Sequence, residues 1–418
     1  MKASYLDKCI FYTFQGNNVL GDLLDLGYNL TIIEIDDSFD YNTIDVTKPN
    51  FLIFNWNRYL PESYNEPDSK SEYSKQGFIF TSKFFEIVRI LSQKGFNFLI
   101  DNVMEADVYI TAEMVFFLEK FRLMNIGEDR LAMLYNNSSN INGGSIKIRD
   151  YNLNTLHFPH FFISTLFGLP EPENVEFKKE KDFLILNRRL GFNKFRLLKK
   201  IAENDLLDKC LYTILSVTPD TSYAINEYPE LKDTAELLGL NRLPITLPKD
   251  VAIPFDVLKD DKYLYKLNTD VFFKTKVNIV TETFLEYTDN ERFSDTIHIT
   301  EKSWKAIYMG VPFVISATKG HLDTLRKFGF KTFENIIDES YDYEEDVDVK
   351  LNKIVSAAKE LAEKCDTKEV LDIIKYNKAL FKNVEHKKNI LNRFFIKDFK
   401  NIFLKNFENI FEENSKYI

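Results

Sequence analysis

The sequence has 418 residues, with 54 Lys and Arg against 64 Asp and Glu, a formal charge of −10 and 44% hydrophobic residues. That length and composition suit a globular protein of two or three domains and exclude a small scaffold held by disulfides or metals. The three cysteines, Cys9, Cys210 and Cys365, are scattered without a CxxC pair, which suits a reducing cytoplasm, and no run nears the about 18 apolar residues of a membrane span. No secretory leader pattern opens the chain, so membrane insertion and secretion are not expected. The acidic balance argues against broad nonspecific binding of nucleic acid, which rests on neutralising phosphates.

Short apolar runs alternate with amphipathic stretches, the pattern of an α/β domain built on a parallel sheet. Strands are predicted at Ile10–Phe14, Asn29–Ile35, Phe51–Asn55, Phe96–Ile100 and Leu131–Tyr135, and helices at Thr81–Gln93 and Ala112–Met124. The polar stretch Pro61–Gly77 reads as a long loop over a sheet edge. Pro170 and Pro172 break the periodicity, and a domain boundary is placed there. A second α/β series follows, with strands at Phe183–Leu186, Leu211–Leu215, Val277–Val280 and Phe313–Ser316 and helices at Lys194–Asn204, Glu301–Met309 and Leu322–Phe328. Beyond the acidic loop Asp338–Asp346 the chain reads helical. It ends on Phe395, Phe399, Ile402, Phe403, Leu404, Phe407 and Ile410, an apolar stripe suited to a helix that returns to the first domain. The resulting division is 1–172, an N-terminal α/β domain; 173–350, a C-terminal α/β domain; and 351–418, a helical segment packing back on them.

In open α/β sheets ligands sit outside the carboxyl ends of the strands, so polar residues after each apolar run are the candidates. Thr300-Glu301-Lys302 opens a helix that Gly310 and Pro312 close, with Thr300 as N-cap. A helix N-terminus with one Lys can take a diphosphate, and an adjacent carboxylate can accept from both hydroxyls of a ribose. The competing reading is a solvated first turn in which Lys302 opposes the helix dipole and has no internal partner. Arg188 and Arg189 follow the run Phe183–Leu186, inside a stretch from Lys178 to Lys200 with nine basic and two acidic residues. Paired guanidinium groups suit phosphate recognition, and a solvated basic face is the alternative. Glu282, after Val277–Val280, either holds a sugar hydroxyl or caps the next segment. His157 and His160 read as structural or as lining a cleft. Asp346-Val347-Asp348 is a DxD triplet in a loop, read as solvated. Dinucleotide, P-loop and nucleophile-elbow motifs are absent from the sequence.

Taken in order, Asn187-Arg188-Arg189, Ile279-Val280-Thr281-Glu282-Thr283, Ile299-Thr300-Glu301-Lys302, Gly310-Val311-Pro312-Phe313, Gly320-His321-Leu322 and Leu325 to Phe333 resemble the donor-binding half of GT-B glycosyltransferases. Within them the likeness is to the α-1,3-fucosyltransferase-like group, and similar sequences occur in phages and marine bacteria. The resemblance spans about Phe183 to Tyr341. It implies two facing Rossmann-like domains with a cleft between them, a nucleoside-diphosphate sugar as donor and no bound metal. Glu301 would then hold the ribose, and Lys302 with Arg188 or Arg189 the diphosphate. The acceptor would be a hydroxyl on a surface glycan or, if the gene is from a phage, on a hydroxylated DNA base; a phage enzyme would work in the host cytoplasm. An inverting transfer needs a carboxylate base from the first domain. Asp101, directly after Phe96–Ile100, is the first candidate and Glu105 the second, on position alone; Asp101 as a simple cap is the bland alternative. A non-catalytic Rossmann-like binding or structural protein is the competing function.

Overall fold

The computed structural model describes residues 5–14, 17–36, 38–55, 82–103, 112–136, 144–148, 151–164, 178–217, 219–240, 270–282, 285 and 297–404. The predicted loop Pro61–Gly77 lies outside them. The chain divides into two compact α/β units, one of residues 1–163 with 384–418 and the other of 164–383.

The first unit holds strands β1 (Ile10–Thr13), β2 (Thr31–Glu34), β3 (Asn50–Asn55), β4 (Asn97–Asn102), β5 (Leu131–Tyr135), β6 (Gly144–Ile148) and β7 (Tyr151–His157). Their order is β2-β1-β3-β4-β5-β7-β6, all parallel except β6, which runs antiparallel to β7. Both faces are covered, which is why the central strands are nearly continuous in apolar residues. Alternate side chains enter different cores. Tyr12, Leu52, Phe54, Phe98 and Ile100 pack with Phe84, Phe117 and Phe121 on helices α2 (Ser82–Gln93) and α3 (Ala112–Leu123). Phe11, Phe51, Ile53 and Leu99 join Val19, Leu20 and Leu23 of α1 (Asn18–Asp25) on the other face. A short α4 (His160–Ser164) follows β7.

Among its described residues the second unit has four parallel strands, β8 (Lys181–Leu190), β9 (Cys210–Val217), β10 (Thr275–Thr281) and β11 (Phe313–Ser316), in the order β11-β10-β8-β9. β8 runs four residues beyond the predicted Phe183–Leu186, so Arg188 and Arg189 lie within the paired strand, with Arg189 opposite Ser216 of β9. Its helices are α5 (Phe192–Glu203), α6 (Pro219–Glu227), α7 (Lys232–Leu237), α8 (Asp270–Phe273), α9 (Glu301–Met309), α10 (His321–Lys327), α11 (Val347–Lys364) and α12 (Lys368–Lys382). α11 lays Leu351, Ile354, Val355, Ala358 and Leu361 into the interior. Trp304 of α9 is buried against Phe328, Phe330 and Phe381 at ring-centroid distances of 5.9, 5.4 and 5.9 Å, which fixes α9 against α12.

Helices α13 (Val384–Leu391) and α14 (Lys397–Phe403) are joined by a π-helical turn at Asn392–Ile396 and belong to the first unit. The segment expected as one piece, 351–418, therefore divides at residue 384. Phe395, Phe399, Phe403 and Leu404 of the apolar stripe are buried; Phe51 meets Phe399 at 4.9 Å and Phe403 at 5.4 Å. Phe407 and Ile410 lie outside the described residues. Among the described residues no helix is long and apolar enough to cross a membrane.

Candidate functional site

Each sheet has a point from which successive parallel strands are added in opposite directions, and polar side chains gather there. In the first unit this point falls between β1 and β3, the place where open α/β sheets leave a crevice at their carboxyl edge. Asn17, N-cap of α1 directly after β1, accepts from Leu20 N at 3.2 Å and donates from Nδ2 to Asp101 Oδ2 at 2.9 Å. This bond passes from the end of β1 to the end of β4. Asp101 Oδ1 also accepts from Val103 N at 3.2 Å. Only 5% of Asp101 is exposed, and burial pushes its carboxyl up to about 6, against the pull of its two hydrogen bonds and of His160. Glu105 lies outside the described residues.

Next to it, His160 Nδ1 sits 2.7 Å from Asp22 Oδ2, a buried pair joining α4 to α1. Burial pushes Asp22 up, and it stays raised despite the imidazole. Burial works to push His160 down, but the Asp22 charge and hydrogen bond outweigh it and leave the imidazole above its ordinary value. His157 is buried at the end of β7 with its ring 6.3 Å from that of Phe394.

In the second unit the corresponding point falls between β8 and β10. Thr281 Oγ1 donates to Asn187 Oδ1 at 2.7 Å across those two strands. Glu282, the next residue after β10, reaches the start of α9 eighteen positions later. Its Oε1 accepts from Thr300 N at 3.1 Å, Ser303 N at 3.4 Å and Ser303 Oγ at 2.6 Å, and its Oε2 accepts from Thr300 Oγ1 at 2.6 Å. Of the two roles open to Glu282, the geometry shows the cap. Burial pushes Glu282 up, yet Lys302 and these hydroxyl bonds outweigh burial and hold it below its ordinary value. His321 contributes little charge at neutral pH, because burial pushes it down to about 4. Since Ser303 Oγ donates to Glu282, the 3.2 Å contact with His321 Nε2 assigns the proton to that nitrogen; Nδ1 is then a buried acceptor with no partner among the described residues.

These bonds correct the reading of α9 as an open anion site. Thr300 is the N-cap as predicted, and Gly310 closes the helix at φ 69°. But three of the backbone donors there are taken: Thr300 N and Ser303 N go to Glu282, and Lys302 N goes to Thr300 Oγ1 at 3.3 Å. An internal carboxylate occupies the place where a phosphate was expected. Nor is Lys302 without an internal partner. Its Nζ donates to Thr300 Oγ1 at 2.9 Å and lies 3.5 Å from Glu301 Oε1 and 3.9 Å from Glu282 Oε2. Glu301 is brought down to about 2, burial being outweighed by Lys302 and Lys305. Glu282, Thr300, Glu301 and Lys302 thus form one cluster. Arg188 and Arg189 share the neighbouring strand β8, and Asp101 belongs to the other unit.

Elsewhere, Asp346 is the N-cap of α11, and Asp348 pairs with Arg196 at 3.4 Å, so the DxD triplet is an ordinary helix start. Among the described residues no group of three or more His, Cys, Asp or Glu side chains is placed to hold a metal ion. Sequence reasoning missed Asn17, Asp22 and Lys387, and it gave His160 no partner.

No protein-family model matches the sequence and no curated protein does. Solved structures with a similar chain path include one of the DNA-modifying enzyme β-glucosyltransferase, with and without uridine diphosphoglucose, at 11% identity and a TM-score of 0.39. Another is T4 phage BGT in complex with UDP and Mn2+, at 10% identity and a TM-score of 0.38. Each alignment covers 92% of this chain and 99% of the other. Similarity at this level assigns no activity.

Proposed function

We propose that the chain is a glycosyltransferase of the GT-B type, moving a sugar from a nucleoside-diphosphate sugar to a hydroxyl acceptor. The observation that carries this reading is Asp101, a buried carboxyl raised to about 6 at the carboxyl edge of a central parallel strand. Such a group is ionised at neutral pH yet basic enough to take a proton from an attacking hydroxyl in the transition state. Asn17 and Val103 N fix its orientation. Glu105 is the second candidate for this role.

The donor falls to the second unit. Glu301, ionised at any physiological pH, offers two acceptor oxygens to the vicinal hydroxyls of a ribose. Lys302, with Arg188 or Arg189, supplies cations to the diphosphate, whose leaving charge they would stabilise. With three backbone donors at the start of α9 engaged by Glu282 and Thr300, this contact is made by side chains, and those two residues act by holding the first turn that presents Glu301 and Lys302. The finer reading, membership of the α-1,3-fucosyltransferase-like group, rests on the resemblance of Thr300 to Phe313. The acceptor is a surface glycan or a hydroxylated DNA base, and no resident metal is proposed.

A thermal-shift screen of nucleoside diphosphates tests the donor site, since a ligand at 100 times its Kd adds about 2.7 kcal/mol to stability. Transfer from the matching nucleotide sugars is then assayed on glycans and on duplex DNA carrying a hydroxylated base, with EDTA and with Mn2+. Absence of any nucleotide shift sinks the donor assignment. A shift without transfer or hydrolysis favours the non-catalytic binding protein.

A further inference from the structure

Helix α1 serves two buried acids at once. Its N-cap Asn17 donates to Asp101 at 2.9 Å, and Asp22, little more than one turn further on, holds His160 Nδ1 at 2.7 Å. Asn17, Asp22, Asp101 and His160 are each less than one-tenth exposed. The charged groups that act on His160 come from β4 and α1, namely Asp101 and Asp22; Asp22 in turn feels Asp25 of α1 and Lys387 of α13. Lys387 Nζ donates to the carbonyls of Phe162 and Ile163, so the returning C-terminal helix grips the same short α4 that carries His160.

We propose, on the reading of Asp101 as the base, that His160 is its positioning residue: clamped to Asp22 through Nδ1, the imidazolium is the buried cation that keeps the Asp101 carboxylate ready to accept a proton. Two carboxylates buried together do not both ionise without a cation among them. Lys387 is the weaker choice, because burial pushes it down to about 7 and its ammonium is spent on the α4 carbonyls. His160 is raised by Asp22 first and by Asp101 as well, and it lowers Asp101 in return. The sign follows: with the imidazolium removed, the Asp101 carboxyl rises further and the base is lost over a wider range of acid pH.

The test is the pH dependence of kcat/KM for His160→Gln, whose amide can still bond Asp22 but carries no charge. In the unmodified protein the acid limb is expected near the Asp101 midpoint of about 6. In the variant it should move up by about one unit or more, with the KM for donor unchanged and turnover recovering at high pH. An acid limb that stays in place overturns the proposal. A second measurement needs neither turnover nor a folded His160 variant. The coupling is mutual, so Asp101→Asn should lower the titration midpoint of the His160 ring, followed by NMR among the five histidines. An unmoved midpoint also overturns it. Normal turnover of Asp101→Asn would instead sink the base assignment itself, which keeps the two failures apart.

Discussion

Replacing Glu282 by Gln tests whether this carboxylate, rather than a ligand, organises the start of α9. The residue is 3% exposed and its carboxylate accepts four hydrogen bonds, two of them from Thr300 and two from Ser303. A Gln oxygen in the place of Oε1 keeps three donors and turns its NH2 against the fourth, the Thr300 hydroxyl. One bond to a charged acceptor is lost, worth about 1.5–3 kcal/mol, the other three weaken to a neutral acceptor, and Lys302 loses the Glu282 carboxylate. Because Lys302 is 27% exposed and keeps Glu301, the loss falls short of the about 3–5 kcal/mol of a fully buried pair, and we expect about 2–3 kcal/mol, still a large share of the about 5–15 kcal/mol of a typical domain.

Urea unfolding at pH 7 reads the loss as a lower midpoint with an unchanged slope. The pH dependence adds a sign. Because the folded carboxyl lies below its ordinary value, its contribution is complete above about pH 4.3 and is lost as pH falls through the folded value. Gln has no such dependence, so the gap between the two proteins should close in acid. Hydrogen exchange at the Thr300 and Ser303 amides should speed up in the variant. A variant within about 1 kcal/mol of the unmodified protein at pH 7 would refute the reasoning, since no buried carboxylate that accepts four hydrogen bonds could be removed so cheaply.

Lys302→Gln should lower donor affinity by about 10-fold or more and, contrary to an exposed first-turn lysine, should also destabilise the empty protein by about 1–2 kcal/mol, less than a fully buried pair because the side chain is 27% exposed. Equal stability by urea titration would show that its contacts with Glu282 and Glu301 are incidental. Asp101→Asn should cut turnover by about 10²–10⁴-fold with donor affinity unchanged, and it should not weaken the fold at pH 7. Raised from 3.8 to about 6, this carboxyl binds its proton more tightly when folded, so ionising it costs up to about 3 kcal/mol as pH rises through that range. A clear fall in the neutral-pH unfolding midpoint would contradict this. Gly310→Ala should cost about 1–2 kcal/mol by urea unfolding, since Gly310 has φ 69° and a new Cβ would meet Lys378 Cδ at 3.0 Å; an unchanged midpoint would mean the helix end relaxes freely.

The features legible in the sequence are those decided within a few residues. Thr300 and Gly310 bound α9 because an N-cap hydroxyl and a left-handed glycine are local requirements, and Asp101 stands at a strand end because Phe96 to Ile100 is one apolar run. Helix α1 escaped although Val19, Leu20, Leu23 and Leu26 have helical spacing, because eight residues with an internal glycine make a weak pattern. The pairing of Asp22 with His160 spans 138 positions and leaves no local mark. Lys387 reads as one more cation on a charged helix, and only the return of the C-terminal segment to the first unit buries it completely. Glu282 shows the same limit from the other side. An acid after a strand is equally a ligand for substrate or a cap for a helix, and the choice depends on where residue 300 arrives.

Asp101 on one side and Glu282 and Glu301 on the other have been driven in opposite directions, and that separates their roles. Glu282 and Glu301 are surrounded by donors and cations that hold them below the ordinary range, so neither can take a proton at neutral pH; each can only accept hydrogen bonds and balance charge. Asp101 has two neutral donors, and burial outweighs them and the neighbouring imidazole. A group placed only to hold the fold would gain from the environment of Glu282, where ionisation stabilises the native state. Asp101 has the reverse environment, in which its working charge is opposed by the fold that contains it. That opposition is what raises its basicity toward neutral pH, and it is the physical reason for seeking the proton-accepting step at Asp101 and the binding of charge at the start of α9.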